Sequence, residues 1–455
     1  MLTYELKKQP GVPLYEALYR CIRDDILSGK LLPGYKLPSK RALAQHLEVS
    51  CITVEGTYNQ LLSEGYIYAQ PRVGYFVEAV EQKAHIAQQP VPPPEESAWE
   101  IDLTTNASTD FPFSVWSRLQ RQVMQDHPQA LLRPMPNQGL WELRQAIAGH
   151  LAEFRGMQVL PENILVGAGT DFLYNLLIQL LGRELLYAVE EPGYSKIRMI
   201  YAAGGVNCMS AVMDASGVIP ESLGNAQVLH ISPSHHFPTG LVTPGKRRTA
   251  LLQWAYQQEG RYIIEDDYDS EFRFNAHPLP AMASLDWEGR VIYMNTFSKT
   301  LAPSIRISYM VLPTALMAQF QKNLGFYSCT VPSFEQYTLT RFLQDGYFEK
   351  HLNRMRKAYK SRRNAVVSML LASPFADRIQ ILEQDAGLHF LVKVQADLTE
   401  RQLVTKCASA GIRVQTLSSY YHGAIPTEDR NCLVINYSGL HPEQIEALSQ
   451  KLKEL

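Results

Sequence analysis

Lys299 ends the apolar run Val291-Ile292-Tyr293-Met294-Asn295-Thr296-Phe297-Ser298-Lys299, and Arg306 stands seven residues beyond it. Upstream, Ile263-Ile264-Glu265-Asp266-Asp267-Tyr268 reads as a strand ending on a carboxylate and a phenol. An amine, an acid, a phenol and a guanidinium so ordered can hold pyridoxal 5′-phosphate. Lys299 would bind its aldehyde as a Schiff base. Asp266 would keep the ring nitrogen protonated, so that the ring draws electrons. Tyr268 would meet the ring hydroxyl. The phosphate needs backbone N–H groups at a helix start, with hydroxyl and cationic donors around them. Gly167-Ala168-Gly169-Thr170-Asp171 leads from a strand into a helix over Phe172–Leu181. Ala168, Gly169 and Thr170 would form the anion seat, completed by Thr296, Ser298 and Arg306. Tyr194, in Glu191-Pro192-Gly193-Tyr194, would cover the ring. Each piece alone has an ordinary structural reading; the ordered set is what points to the cofactor.

These residues need a sheet to position them. Short apolar runs such as Asn163–Val166, Glu184–Val189, Gln227–Ile231 and Arg261–Ile264 alternate with helical segments from about residue 100 onward. That alternation predicts an α/β domain with a mainly parallel sheet. The 455 residues exceed one ordinary domain. A Pro-rich segment over 79–99, with Pro90-Val91-Pro92-Pro93-Pro94, predicts a linker.

The first 78 residues read differently. Leu14, Leu18, Ile22, Ile26 and Leu27 form one helical stripe. Pro38-Ser39 opens a second helix with Ser39 as N-cap, and Val49-Ser50 turns into a third over Cys51–Ser63. Two short strand patterns around Ile67 and Phe76 complete a winged helix-turn-helix, whose third helix enters the major groove of DNA. Lys40 and Arg41 would meet phosphates, Thr53 and Thr57 would face the groove, and Arg72 would reach from the wing. This segment holds nine Lys/Arg against eight Asp/Glu, which predicts modest affinity per module and two modules per operator. The whole chain has a net charge of −2, so no global basic excess advertises nucleic acid. The six cysteines contain no C-x-x-C pair, which speaks against zinc or a disulfide framework and for a reducing cytoplasm. The first residues carry no apolar signal core, and no apolar stretch is long enough to span a membrane. His235-His236 lacks further ligands for a metal and reads as pocket lining.

Leu37-Pro38-Ser39-Lys40-Arg41-Ala42-Leu43-Ala44, Thr53-Val54 and Glu64-Gly65 resemble the GntR-type DNA-binding domain. Ser232-Pro233-Ser234-His235-His236-Phe237-Pro238-Thr239-Gly240, Glu265–Arg273 and Thr296–Arg306 resemble the MocR/GabR subfamily, in which that domain is fused to a fold-type I aminotransferase-like domain. The resemblance implies a DNA-binding domain over 1–78 and an effector domain over 100–455. The effector domain would have a large part at about 146–325 and a small part at about 100–145 and 326–455. It further implies a cytoplasmic homodimer that binds double-stranded operator DNA and pyridoxal phosphate, regulating transcription in response to a small effector.

Three departures bear on function. Cys51 stands where family members usually carry arginine. Phe237 stands where aminotransferases usually place an asparagine on the ring hydroxyl. Val434 stands where they hold a substrate carboxylate with arginine, which leaves Arg198 as the remaining effector-binding cation. We therefore expect a sensor with little or no transamination, its effector an amino compound or pyridoxal phosphate itself. The alternative is a working aminotransferase carrying a DNA-binding module.

Overall fold

The computed structural model describes residues 2–4, 6, 13–79, 99–105, 110–274, 279–383, 387–395 and 397–454. The chain divides into two compact units, Met1–Glu96 and Ser97–Leu455. Apart from its two ends, the segment expected as a linker lies outside the described residues.

In the first unit, α1 (Leu14–Leu27), α2 (Lys40–His46) and α3 (Cys51–Ser63) precede a hairpin of β1 (Ile67–Gln70) and β2 (Gly74–Val77). Two serines set the helix starts. Ser39 Oγ accepts from Ala42 N at 3.2 Å, and Ser50 Oγ accepts from Thr53 N at 3.1 Å. Each such cap satisfies one orphan donor and is worth about 1 kcal/mol. Leu18, Ile22, Leu43, Val54, Tyr58 and Leu61 are fully buried in one core, each stabilising the fold by roughly 2 kcal/mol. Leu27, expected on the inward stripe, is instead 39% exposed, because the helix ends there. The hairpin pairs Ile67 with Val77 through Gln70 with Gly74. This leaves Pro71–Val73 as the tip, with Arg72 at φ +64°.

The second unit is built on an eight-stranded sheet. Its strands are β3 (Ile164–Gly167), β4 (Leu186–Glu191), β5 (Asn207–Asp214), β6 (Gly217–Val218), β7 (Val228–Ile231), β8 (Tyr262–Asp266), β9 (Val291–Thr296) and β10 (Ser308–Val311). Their order across the sheet is β3-β10-β9-β8-β7-β4-β5-β6. β4, β5, β7, β8 and β9 run parallel, and β10 is antiparallel to both its neighbours. β3, β7, β8 and β9 read as near-continuous buried runs, as expected of strands covered on both faces, whereas β5, towards the sheet edge, is largely half-buried or exposed. α4 (Thr170–Leu181) follows β3 directly. A second sheet comprises β11 (Ile379–Leu382), β12 (His389–Val394), β13 (Gln415–Thr416) and β14 (Cys432–Asn436), in the order β11-β12-β14-β13. The long helix α5 (Tyr347–Leu371) carries a basic run that binds within this unit: Arg356 Nε donates to Glu271 O at 2.7 Å, and Arg362 pairs with Asp110 at 2.9 Å.

Candidate functional site

A cavity of about 310 Å³ opens at the carboxyl ends of the parallel strands, where open α/β sheets bind ligands. Its wall contains Lys299, Asp266, Tyr268, Thr170, Tyr194, Thr296, Ser298, Arg306 and Arg198. These come from turns far apart in sequence, brought together because each follows a strand of one sheet.

Lys299 lies in the short helix Phe297–Thr300, directly after β9. Its half-buried ammonium loses hydration, which holds its pKa below the ordinary lysine value against the pull of Asp269 and Asp266. Asp266 ends β8 with its side chain nearly buried. Its Oδ2 accepts from Tyr174 OH at 2.5 Å and lies 3.6 Å from His230 Nε2. Its Oδ1 is buried and meets no donor among the described residues. An unpaired carboxylate oxygen there is costly, so the wall presents an acceptor that awaits a donor. Tyr268 OH lies 3.3 Å from His235 Nδ1, which in turn lies 2.9 Å from Asp269 Oδ2. Burial pushes the Tyr268 phenol well above its usual range, so it stays protonated.

At the other end, α4 starts at Thr170, two residues earlier than expected, and no side chain caps it. Its first N–H groups therefore face the cavity mouth without an intrahelical partner. Gly169 is favoured here by its φ of +91°, which L side chains rarely adopt, and a Cβ would also displace the Arg306 guanidinium, whose Nη2 lies 2.0 Å from its place. Arg306 also lies 3.5 Å from Asp171 Oδ2, which Lys196 approaches to 2.6 Å. Ala168 is held apart from this cavity: its N–H donates to Thr330 Oγ1 at 2.9 Å. Thr296, expected as a phosphate donor, has its hydroxyl committed elsewhere. Its Oγ1 caps the Lys299 helix by accepting from Ser298 N at 3.1 Å, and it accepts from Ser308 Oγ at 2.8 Å.

The remaining wall decides what else fits. Arg198, expected to be available for an effector, donates to Ser210 Oγ at 2.9 Å and lies 3.5 Å from Glu191 Oε2. Glu191 also accepts from Ser210 Oγ and, through Oε1, from His422 N at 3.1 Å and Gly423 N at 2.6 Å. Arg198 thus already faces a carboxylate and a hydroxyl, and the same carboxylate straps the Tyr420–Gly423 segment to the turn after β4. Val434 is fully buried among Leu391, Leu417 and Tyr420, with Phe237 packed against them. Phe237 also meets Tyr194 edge-on, with ring centroids 5.8 Å apart. A carboxylate placed on this side would lose hydration without gaining a cation. Glu190 lies deeper. Burial, with Asp266 nearby, pushes its carboxyl up to about 8.

The unit around α3 carries the other proposed contacts. Arg41 and Arg72 are exposed. Lys40 is drawn to Glu55 Oε1 at 2.7 Å. Thr53 is half-buried, with its hydroxyl 2.8 Å from Ser50 Oγ. Thr57 cannot face a groove: it is fully buried and donates to Tyr15 O at 2.9 Å, tying α3 to α1. The helix presents Cys51, Ile52, Glu55 and Asn59 outward instead.

Sequence reasoning missed Tyr174, His230, Glu190 and Asn436. Tyr174 and His230 sit within a helix and a strand that read as core. Asn436 lies two residues past Val434 and turns into the cavity with its Oδ1 unpaired among the described residues. Among the described residues no group of His, Cys, Asp and Glu is arranged to hold a metal ion, and no helix is long and apolar enough to cross a membrane.

Two family models match the chain: bacterial regulatory proteins of the gntR family over residues 14–77, and aminotransferase class I and II over residues 100–452. An uncharacterized HTH-type transcriptional regulator of Bacillus subtilis, YdeL, is 34% identical over 99% of this chain and 98% of its own. The probable rhizopine catabolism regulatory protein MocR of Rhizobium meliloti is 30% identical over 96% of this chain and 92% of its own. The HTH-type pyridoxine biosynthesis transcriptional regulator PdxR of Corynebacterium glutamicum is 32% identical over 93% and 91%. Among solved structures, the kynurenine aminotransferase of Pyrococcus horikoshii superposes with a TM-score of 0.67 at 24% identity, over 79% of this chain and 92% of its own. That likeness shows a shared fold.

Proposed function

Because this chain belongs to the HTH-type transcriptional regulators of MocR architecture, a gntR-type unit followed by an aminotransferase class I and II domain, we propose that pyridoxal 5′-phosphate is its signal as well as its cofactor. The residues fit that group. When bound, it supplies an aldehyde for an amine, a ring nitrogen that donates to an acid, and a phosphate dianion. Lys299 offers an amine whose lowered pKa favours the reactive neutral form. The unpaired Asp266 Oδ1 offers an acceptor for the ring nitrogen, and this observation carries the reading most directly. Tyr268 offers a protonated phenol, Tyr194 an aromatic face, and Arg306, Ser298 and the start of α4 an anion seat.

What the wall withholds supports the sensor role over turnover. Val434 sits in an apolar cluster, and Arg198 is engaged by Glu191, so an amino acid carboxylate finds no ready cation. PdxR, by its name a regulator of pyridoxine biosynthesis, is among the relatives. The protein would act in the cytoplasm as a homodimer, each effector domain over about 100–455 biasing a DNA-binding domain over 1–78.

The test is binding of the purified protein to its own upstream DNA, with and without pyridoxal phosphate, beside Lys299→Ala. We expect the cofactor to change wild-type affinity and leave the variant unmoved. Equal affinity of wild-type protein in both states, with a response to an added amine, would replace this reading by one in which the cofactor is only a fixed hook for another effector.

A further inference from the structure

α3 contains no lysine or arginine, and Glu55 is its sole charged residue. Guanine is read in the major groove chiefly by a cationic side chain forked onto its O6 and N7 atoms. α3 has no such side chain, and Glu55 is engaged by Lys40. What it presents in its first turn is Ile52, 79% exposed and outside the core of its unit. No other large apolar side chain described in that unit is as exposed. A single exposed isoleucine ordinarily needs no explanation. This one occupies the turn that a helix-turn-helix lays against base edges, next to Cys51. Apolar contact with a thymine methyl group is the readout open to it.

We infer that Ile52 reads a thymine methyl group, so that each operator half-site carries an A·T pair, and not a guanine contact, under the start of α3. The inference rests on the DNA-binding role of this unit. Asn59, also outward and about two turns further along α3, has an amide that suits an adenine.

The experiment begins with full-length protein selecting duplexes from a random library. The enriched site is then resynthesised with deoxyuridine at one thymine at a time. Each exchange removes one methyl group and leaves the hydrogen-bonding edge intact. We expect one thymine per half-site whose exchange weakens wild-type binding about fourfold. Ile52→Ala should be indifferent to that exchange, while Ile52→Val keeps most of the response. Because Ile52 is exposed, these variants should fold as the wild type does, which circular dichroism checks. The inference is overturned if no thymine responds, or if Ile52→Ala keeps the same response at the same position. It is equally overturned if Thr53→Ser, and not Ile52→Ala, abolishes the response. Failure to enrich any duplex, together with no binding to DNA at low salt, would overturn the DNA-binding assignment and the inference together, and is told apart from the other outcomes by that absence of binding.

Discussion

At the scale of single residues, the second unit's pocket presents a buried carboxylate oxygen, Asp266 Oδ1, that meets no donor among the described residues. Asp266→Asn keeps the shape and removes the charge that would hold a ring proton; we expect it to bind pyridoxal phosphate at least tenfold more weakly, measured by titrating the visible absorbance of the bound cofactor. Glu190 leads to a pH effect. Its carboxyl titrates near 8 in the folded chain because burial disfavours the anion. Unfolded, it would titrate near the ordinary carboxyl value. Between those two values the folded chain keeps a proton that the unfolded chain has released, so this group's contribution to stability is full below the lower value and falls as pH rises through about 8. Glu190→Gln should therefore flatten the decline of the denaturation midpoint between about pH 5 and 8, and an unchanged slope would mean that Glu190 is ionised in the fold. Spacing made Lys299, Asp266, Tyr268 and Arg306 legible, because each follows a strand at a recognisable offset. It could not show that Arg198 is engaged by Glu191, or that Thr57 points inward. Both depend on neighbours remote in sequence, Ser210 and His422 for the pair and Tyr15 for the threonine.

At the scale of elements, the helix starts carry both proposed roles. Ser39 is legible as a cap, since a serine before a helical stripe has one common use, whereas Ser50, which reads as part of a turn, proves to cap α3 as well. Ser50→Ala should cost the first unit about 1 kcal/mol, seen as faster amide exchange along α3. α4 starts two residues before the Phe172 that the sequence predicts, because Thr170 and Asp171 look like turn residues until a glycine at positive φ is known to precede them. That glycine has little freedom to change. Gly169→Ala adds a strained backbone and a Cβ against the Arg306 guanidinium. We expect it to bind inorganic phosphate and pyridoxal phosphate several-fold more weakly while Lys299 still reacts with a phosphate-free aldehyde. Equal losses for both ligands would instead point to a collapsed pocket.

At the scale of the whole molecule, two compact units predict two unfolding transitions. A ligand that binds only the folded second unit raises only that unit's transition, by about 2.7 kcal/mol at a hundredfold excess over its dissociation constant. Calorimetry with and without pyridoxal phosphate checks this, and a shift in both transitions would reveal that the units unfold together. The two-part organisation was legible in the sequence because the helical stripes of residues 14–63 and the strand–helix alternation after 100 have different periods.

The charge poverty of α3 has a consequence for how the protein finds its site. Affinity for arbitrary DNA comes from cations that release condensed counterions, and each such contact steepens the fall of binding with salt by about 0.9 in the log–log slope. Arg41 and Arg72 can contribute to that slope; α3 cannot. Rising salt should therefore erode the grip on random sequence while the preference for the operator holds, leaving a searcher that lingers little on the wrong stretch of a genome.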